Sequence, residues 1–221
     1  MIDMDGVSWW VPALNMALTI AAIVLFSYRV FWAWLLPVAT TAVLLATGIP
    51  NGRLNTSTIF VMAAALYGLW KWTQYRREGV HVPLRTAHGR EWGVGAGLLL
   101  LLYLLNAFAG VTPVAEIGPL YLFNALLAAL PAVMYLGFAH GIIQSWWLGV
   151  SLSLATMFLS TLQNAPVWFP VYSAVAAALQ VFGYLTWQHA MRRPVRSKHR
   201  QAPAHPRRPA TPGTGAPGRT A

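Results

Sequence analysis

Between Gln144 and Trp187 the chain reads QSWWLGVSLSLATMFLSTLQNAPVWFPVYSAVAAALQVFGYLTW, two apolar runs parted only by Gln163-Asn164-Ala165-Pro166. Neither run contains an Asp, Glu, Lys, Arg or His. A span of lipid hydrocarbon takes roughly 20 such residues. Within hydrocarbon the backbone must satisfy its own polar groups, which leaves helices and closed barrels. Barrel strands alternate polar and apolar residues in short segments, whereas these runs are continuously apolar and therefore helical. A stretch of the same kind, Phe31 to Trp72, comes earlier in the chain.

Seven runs meet the criterion: Ser8 to Phe26, Val30 to Ala46, Leu54 to Trp72, Gly93 to Gly110, Pro119 to Ala139, Gln144 to Leu162 and Val167 to Trp187. The first has no basic start and no small-residue exit, so it reads as a span rather than a cleaved signal. Composition agrees: 57% of residues are hydrophobic, 9% are charged, and the mean hydropathy is +0.53, against about 25% charged in soluble domains. The five acids, Asp3, Asp5, Glu78, Glu91 and Glu116, all fall in terminal or loop segments. Cysteine is absent, which excludes disulfides and thiolate metal sites. The net charge of +10 does not imply nucleic acid, because eight of the fifteen Lys and Arg residues lie at or beyond Arg192.

Those cations set the expected orientation, since Lys and Arg resist translocation. Arg76, Arg77, Arg85 and Arg90 follow span three, with Lys71 just before them; Arg192, Arg193, Arg196, Lys198 and Arg200 follow span seven; Arg29 follows span one. With seven spans all three groups lie on the cytoplasmic side of an inner (plasma) membrane and the N-terminus lies outside. Six spans would split them. The expected layout is an extracytoplasmic 1–7, a three-helix unit over 8–72, a basic cytoplasmic loop over 73–92, a linker helix over 93–110, a second three-helix unit over 119–187, and a disordered basic tail over 188–221. The tail's composition of Pro, Arg, Ala, Thr and Gly is too poor in apolar residues to order itself, and its cations can meet anionic lipid.

The two stretches also match each other. At an offset of 115, Trp72 pairs with Trp187, Gly68 with Gly183, Tyr67 with Phe182, Thr58 with Ser173, Thr41 with Thr156 and Trp32 with Trp147. Span one then corresponds to span five, with few matching residues, and span four is left as a linker. Because four crossings separate the units, they are parallel. The expectation is an all-α integral membrane protein whose seven transmembrane helices form a 3+1+3 parallel-repeat arrangement, as in transporters of the SWEET type, with substrate near midplane at the repeat interface.

The ending Tyr67-Gly68-Leu69-Trp70-Lys71-Trp72, the block Gln144-Ser145-Trp146 and the ending Phe182-Gly183-Tyr184-Leu185-Thr186-Trp187 resemble the PnuC family of nicotinamide riboside transporters. The resemblance implies uptake of a vitamin B3 nucleoside by facilitated diffusion, trapped afterwards by a cytoplasmic kinase. The chain departs from that family's pattern in four places. Asn124 stands where an acid is usual and Tyr135 where a Gln is; Gly149 replaces the second Trp of a WxxW, and Ser153 an Asn or Asp.

Polar groups inside spans face partner helices or a cavity. Helical spacing puts Ser173, Gln180 and Tyr184 on one face of span seven, Ser153 and Thr156 on one face of span six, and Asn124 with Tyr135 on one face of span five, with Thr58 in span three as the mate of Ser173. Trp146 and Trp147 can offer ring faces to a pyridinium cation. These ten residues are the candidate substrate-binding set. Packing between helices is the competing explanation for each Ser and Thr. A carboxamide such as Gln180 needs partners for both its ends.

Ion coupling by protons usually uses a titratable group inside the membrane; no Asp, Glu or His falls within these spans and Lys71 stands only at the end of span three, which favours uniport. The Ser–His or paired-Asp machinery of an intramembrane protease is missing from the spans, as is the last-span Lys of a photoreceptor. The expectations are therefore no enzyme, no cofactor and no metal. The partners expected are a small-molecule substrate and membrane lipid, without nucleic acid, and a homo-oligomer is compatible. Thiamine, or another cationic aromatic vitamin, is the alternative cargo. A non-transporting membrane assembly protein is the alternative class.

Overall fold

The computed structural model describes residues 10–48, 56–108 and 118–192. Within them run seven α-helices: α1 (Trp10–Ser27), α2 (Leu35–Gly48), α3 (Thr56–Arg77), α4 (Gly89–Phe108), α5 (Pro119–Ala139), α6 (Ser145–Leu162) and α7 (Trp168–Arg192), with a single 3-10 turn, Phe31–Trp34, leading into α2. Helices α4 to α7 are long and apolar enough to cross a membrane, while Val11–Ser27 and Phe31–Ala46 are shorter apolar segments. Helix α3 has 22 residues and continues five beyond the apolar run, because Arg76 and Arg77 are good helix formers and complement the dipole of a last turn. The expected N-terminal segment 1–7 and residues 193–221 of the expected tail lie outside the described residues; residues 188–192, expected in that tail, instead continue α7 as helix.

Four of these helices stop in one way. Arg29, Gly79, Gly141 and Asn164 have φ of 56°, 65°, 67° and 51°, each two residues past the end of α1, α3, α5 and α6. The next N–H bonds five residues back: Val30 to Leu25 at 3.0 Å, and Val80 to Tyr75, Ile142 to Gly137 and Ala165 to Ser160 at 2.9 Å. This left-handed cap satisfies terminal carbonyls that would otherwise lack partners. At Gly141 the absence of a side chain has a second use, since a Cβ there would strike the Pro83 carbonyl. That approach lets Arg85 pair with the α5–α6 turn, its N–H on Gly141 O and its carbonyl receiving the Ile143 N–H, both 3.0 Å.

Lipid is as apolar as leucine, so close packing and hydrogen bonds must hold such helices together. Here α3 and α4 pack on α5, α1 and α6 on α7, and α2 on α3. The tightest packing is aromatic and joins the C-terminal ends of α1, α3, α5 and α7. Phe26 stacks on Phe138 at 5.4 Å between centroids. From Phe26 the rings step to Trp34 (4.8 Å) and Trp72 (5.6 Å); from Phe138 they step to Trp146 (4.7 Å) and Trp187 (5.6 Å). The Trp72 indole donates to Phe138 O at 3.3 Å, and that of Trp187 donates to Phe26 O at 2.9 Å.

Trp34 lies over Gly68 and Trp146 over Gly183, so close that a Cβ on either glycine would enter the ring. These tryptophans are 112 positions apart. The pairings of Trp32 with Trp147 and of Thr41 with Thr156 at 115 therefore do not describe the packing: at 112 Thr41 pairs with Ser153 instead, and the Trp32 and Trp147 rings are exposed, at 56% and 48%. The three-residue difference is taken up between α2 and α3 on one side and α6 and α7 on the other. Every described Lys and Arg (Arg29, Lys71, Arg76, Arg77, Arg85, Arg90 and Arg192) lies at or beyond this aromatic end, called the basic end below.

Candidate binding cavity

A cavity of about 350 Å³ occupies the middle of the bundle, lined by α1, α2, α3, α5, α6 and α7. This is the size range of small-molecule sites. Phe26, Phe138 and Trp146 form its wall toward the basic end, and from there it extends to Leu44, Ser57 and Tyr172 near the other end. On α7 alone, Tyr172 to Gln180 covers ~12 Å at the helical rise. No Asp, Glu, Lys, Arg or His is among the lining residues.

Helix α7 contributes Tyr172, Ser173, Ala176 and Gln180, α6 contributes Trp146, Leu152, Ser153 and Thr156, and α5 contributes Pro131, Met134 and Tyr135. Pro131 cannot donate a backbone bond inside α5, which leaves a carbonyl one turn earlier without its usual helical donor. Ser153 Oγ donates to Gln180 Oε1 at 3.2 Å, with both residues buried. The carboxamide fits because residue 149 is glycine: a Cβ there would come within 2.9 Å of Gln180 Cδ and 3.0 Å of Met134 Sδ.

Some hydroxyls are occupied by their own helices, Thr19 on Asn15 O at 2.8 Å and Thr41 on Pro37 O. Thr40 Oγ1 and the Trp146 indole N–H are different. Both are buried, both belong to cavity-lining residues, and neither has a partner among the described residues. A buried donor left unpaired costs about 1–3 kcal/mol, so this wall leaves two donors without acceptors.

No protein-family model and no curated protein matches the sequence. Among solved structures the chain is similar to the "Crystal structure of the Vitamin B3 transporter PnuC", with a TM-score of 0.59 and 10% identity, covering 82% of each chain. The fold is that of PnuC. With its long apolar helices, the PnuC fold makes this a multi-pass membrane protein.

Within the PnuC fold, seven of the ten candidate residues meet at the cavity: Thr58, Tyr135, Trp146, Ser153, Thr156, Ser173 and Gln180. Three do not. Asn124 is exposed on α5, and Trp147 and Tyr184 pack on each other at 5.1 Å away from the lining. Thr19, Thr40, Ser57 and Tyr172 also line the cavity and were not singled out by helical spacing. Their signal was present as hydroxyls inside apolar spans.

Proposed function

We propose that the chain carries nicotinamide riboside, or a closely related cationic aromatic nucleoside, across the inner membrane by facilitated diffusion. The observation that carries this reading is the uncharged central cavity, which joins aromatic faces to a hydroxyl and amide lining. Trp146, Phe26 and Phe138 line the cavity toward the basic end, and an aromatic wall attracts a pyridinium cation by about 0.5–2 kcal/mol. The Trp146 N–H can donate to a ribose or amide oxygen, while Gln180, Thr40 and Ser173 supply further donors and acceptors. The uncharged lining favours uniport, with direction set by a cytoplasmic kinase that consumes the substrate. The similarity to a transporter structure is in keeping with transport rather than an enzymatic step.

We further propose a 3+1+3 architecture of two parallel units linked by α4. Paired positions support it. Cavity-lining residues correspond at 112 between α1 and α5 (Ile23 with Tyr135, Phe26 with Phe138) and between α2 and α6 (Thr41 with Ser153, Leu44 with Thr156). They correspond at 115 between α3 and α7 (Thr58 with Ser173, Val61 with Ala176). The cavity then lies on the pseudo-twofold axis that also relates the two Trp–carbonyl bonds. By the positive-inside rule the basic end faces the cytoplasm, so the aromatic layer is the inner gate.

The test is uptake of labelled nicotinamide riboside and thiamine into proteoliposomes. Saturable uptake of the riboside, competed weakly by thiamine, supports the proposal. Preference for thiamine would transfer the same site to that vitamin, and no movement of either would overturn transport of such cations.

A further inference from the structure

A second cavity, of about 620 Å³, lies between the first half of α4, the second half of α5 and the start of α6. Helix α4 buries only Leu102 and Ala107 among its described residues, both in the half away from the basic end. In its basic half Gly93 and Gly97 have nothing within 4 Å of a built Cβ, and Gly95 reaches only Val133, at 4.0 Å. Over 93–97 helix α4 therefore reaches the bundle little, because its three glycines carry no side chains; its packing resumes at Leu98 and Leu99. The gap is walled by Leu98, Leu99, Val133 and Leu148, all partly exposed, and is open along the helices.

The mouth of the gap is polar and lies at the basic end. Glu91 is committed to Arg85, at 2.6 and 2.5 Å, and to the His88 N–H at 2.9 Å. Gln144 Oε1 accepts the Ala87 N–H at 3.0 Å. His140 is engaged with the Tyr67 hydroxyl at 3.0 Å. Burial holds that imidazole below its ordinary pKa, with Lys71 and Arg85 adding to the effect, so it is not the main cation. Arg90 lines the mouth, is exposed, and has no ion-pair partner among the described residues.

We propose that this groove is a binding site for an anionic phospholipid of the adjacent leaflet, its phosphate on Arg90 and one acyl chain between α4 and α5. The chemistry on the page selects this occupant: a lipid-facing apolar slot ends in an unpaired guanidinium at headgroup level, and basic pockets between spans hold anionic headgroups. The proposal uses the membrane-protein reading but neither the cargo nor the orientation.

The test is native mass spectrometry of the delipidated protein in detergent, titrated with phosphatidylglycerol or phosphatidylcholine. Phosphatidylglycerol adducts should exceed phosphatidylcholine adducts roughly fivefold, the worth of one basic contact. Arg90→Gln should abolish the preference, and Arg77→Gln, outside the groove, should keep it. Gly95→Leu, whose Cβ would meet nothing closer than Val133 at 4.0 Å, should reduce retention of both lipids. Equal retention by the parent protein, a preference surviving Arg90→Gln, or lipid-free oligomers in which a second copy covers α4 would each overturn the assignment. None of these readouts depends on uptake, so failure here and failure of the transport reading are separable.

Discussion

Trp187 donates its indole N–H to the carbonyl of Phe26 at 2.9 Å, joining residues 161 positions apart. That carbonyl already receives the Arg29 N–H at 2.9 Å, and Phe138 O likewise receives both Gly141 N–H (3.1 Å) and Trp72 (3.3 Å). The same construction therefore closes the ends of α1 and α5, each time with a tryptophan from the other half of the chain.

Replacing either indole by a ring without the donor should weaken the join without emptying the core. Trp187→Phe is expected to cost about 1 kcal/mol for the lost bond, plus the smaller ring's lost packing. Thermal unfolding in detergent reads this, and Trp72→Phe should cost a similar amount. If the bonds also hold the inner gate shut, the double variant should leak substrate faster from loaded vesicles.

Gly183→Ala and Gly68→Ala should each destabilise by roughly 1–3 kcal/mol through overpacking, because the new methyl enters the Trp146 or Trp34 ring. Trp146→Phe should restore part of the loss in Gly183→Ala. Gly93→Ala, with open space around it, should be neutral or slightly stabilising. Equal effects at all three glycines would contradict the packing described.

In the cavity, Gln180→Ala should lower riboside uptake five- to tenfold, the worth of about 1–1.5 kcal/mol of hydrogen bonding, with membrane insertion unchanged. Gly149→Ala should do the same indirectly by displacing the carboxamide. Asn124→Ala, exposed and off the lining, should transport like the parent.

Arg29 holds φ at 56°, where a side chain other than glycine's is strained. Arg29→Gly should raise stability by up to ~1 kcal/mol, measured in the same melts. A loss of stability would mean that the arginine side chain itself supports the end of α1.

The absence of cysteine makes orientation directly measurable. Thr86→Cys and Asn164→Cys, both exposed and near opposite ends, should be labelled by an impermeant thiol reagent from opposite sides, residue 86 only after the cytoplasmic face is opened. The reverse pattern would invert the assigned topology.

Residue order alone established the class of molecule and most of its helices. Uninterrupted apolar runs admit one backbone solution in lipid, and Pro119 to Ala139 is the same segment in both readings. It also exposed Gly68 with Gly183 and Trp72 with Trp187, since tryptophan and glycine are rare enough to stand out against leucine and alanine. Tertiary structure decided which face of each helix turns inward. In a soluble helix a polar stripe reports that rotation, but next to lipid both faces are apolar, so spacing could not place Trp147 and Tyr184 outside the cavity or Thr19 and Tyr172 on it. The register of α2 against α6 was hidden for a related reason. Adjacent tryptophans stand at Trp146 and Trp147, and only the close approach of a ring to Gly183 shows that Trp146, with Trp34 opposite, is the one the fold uses.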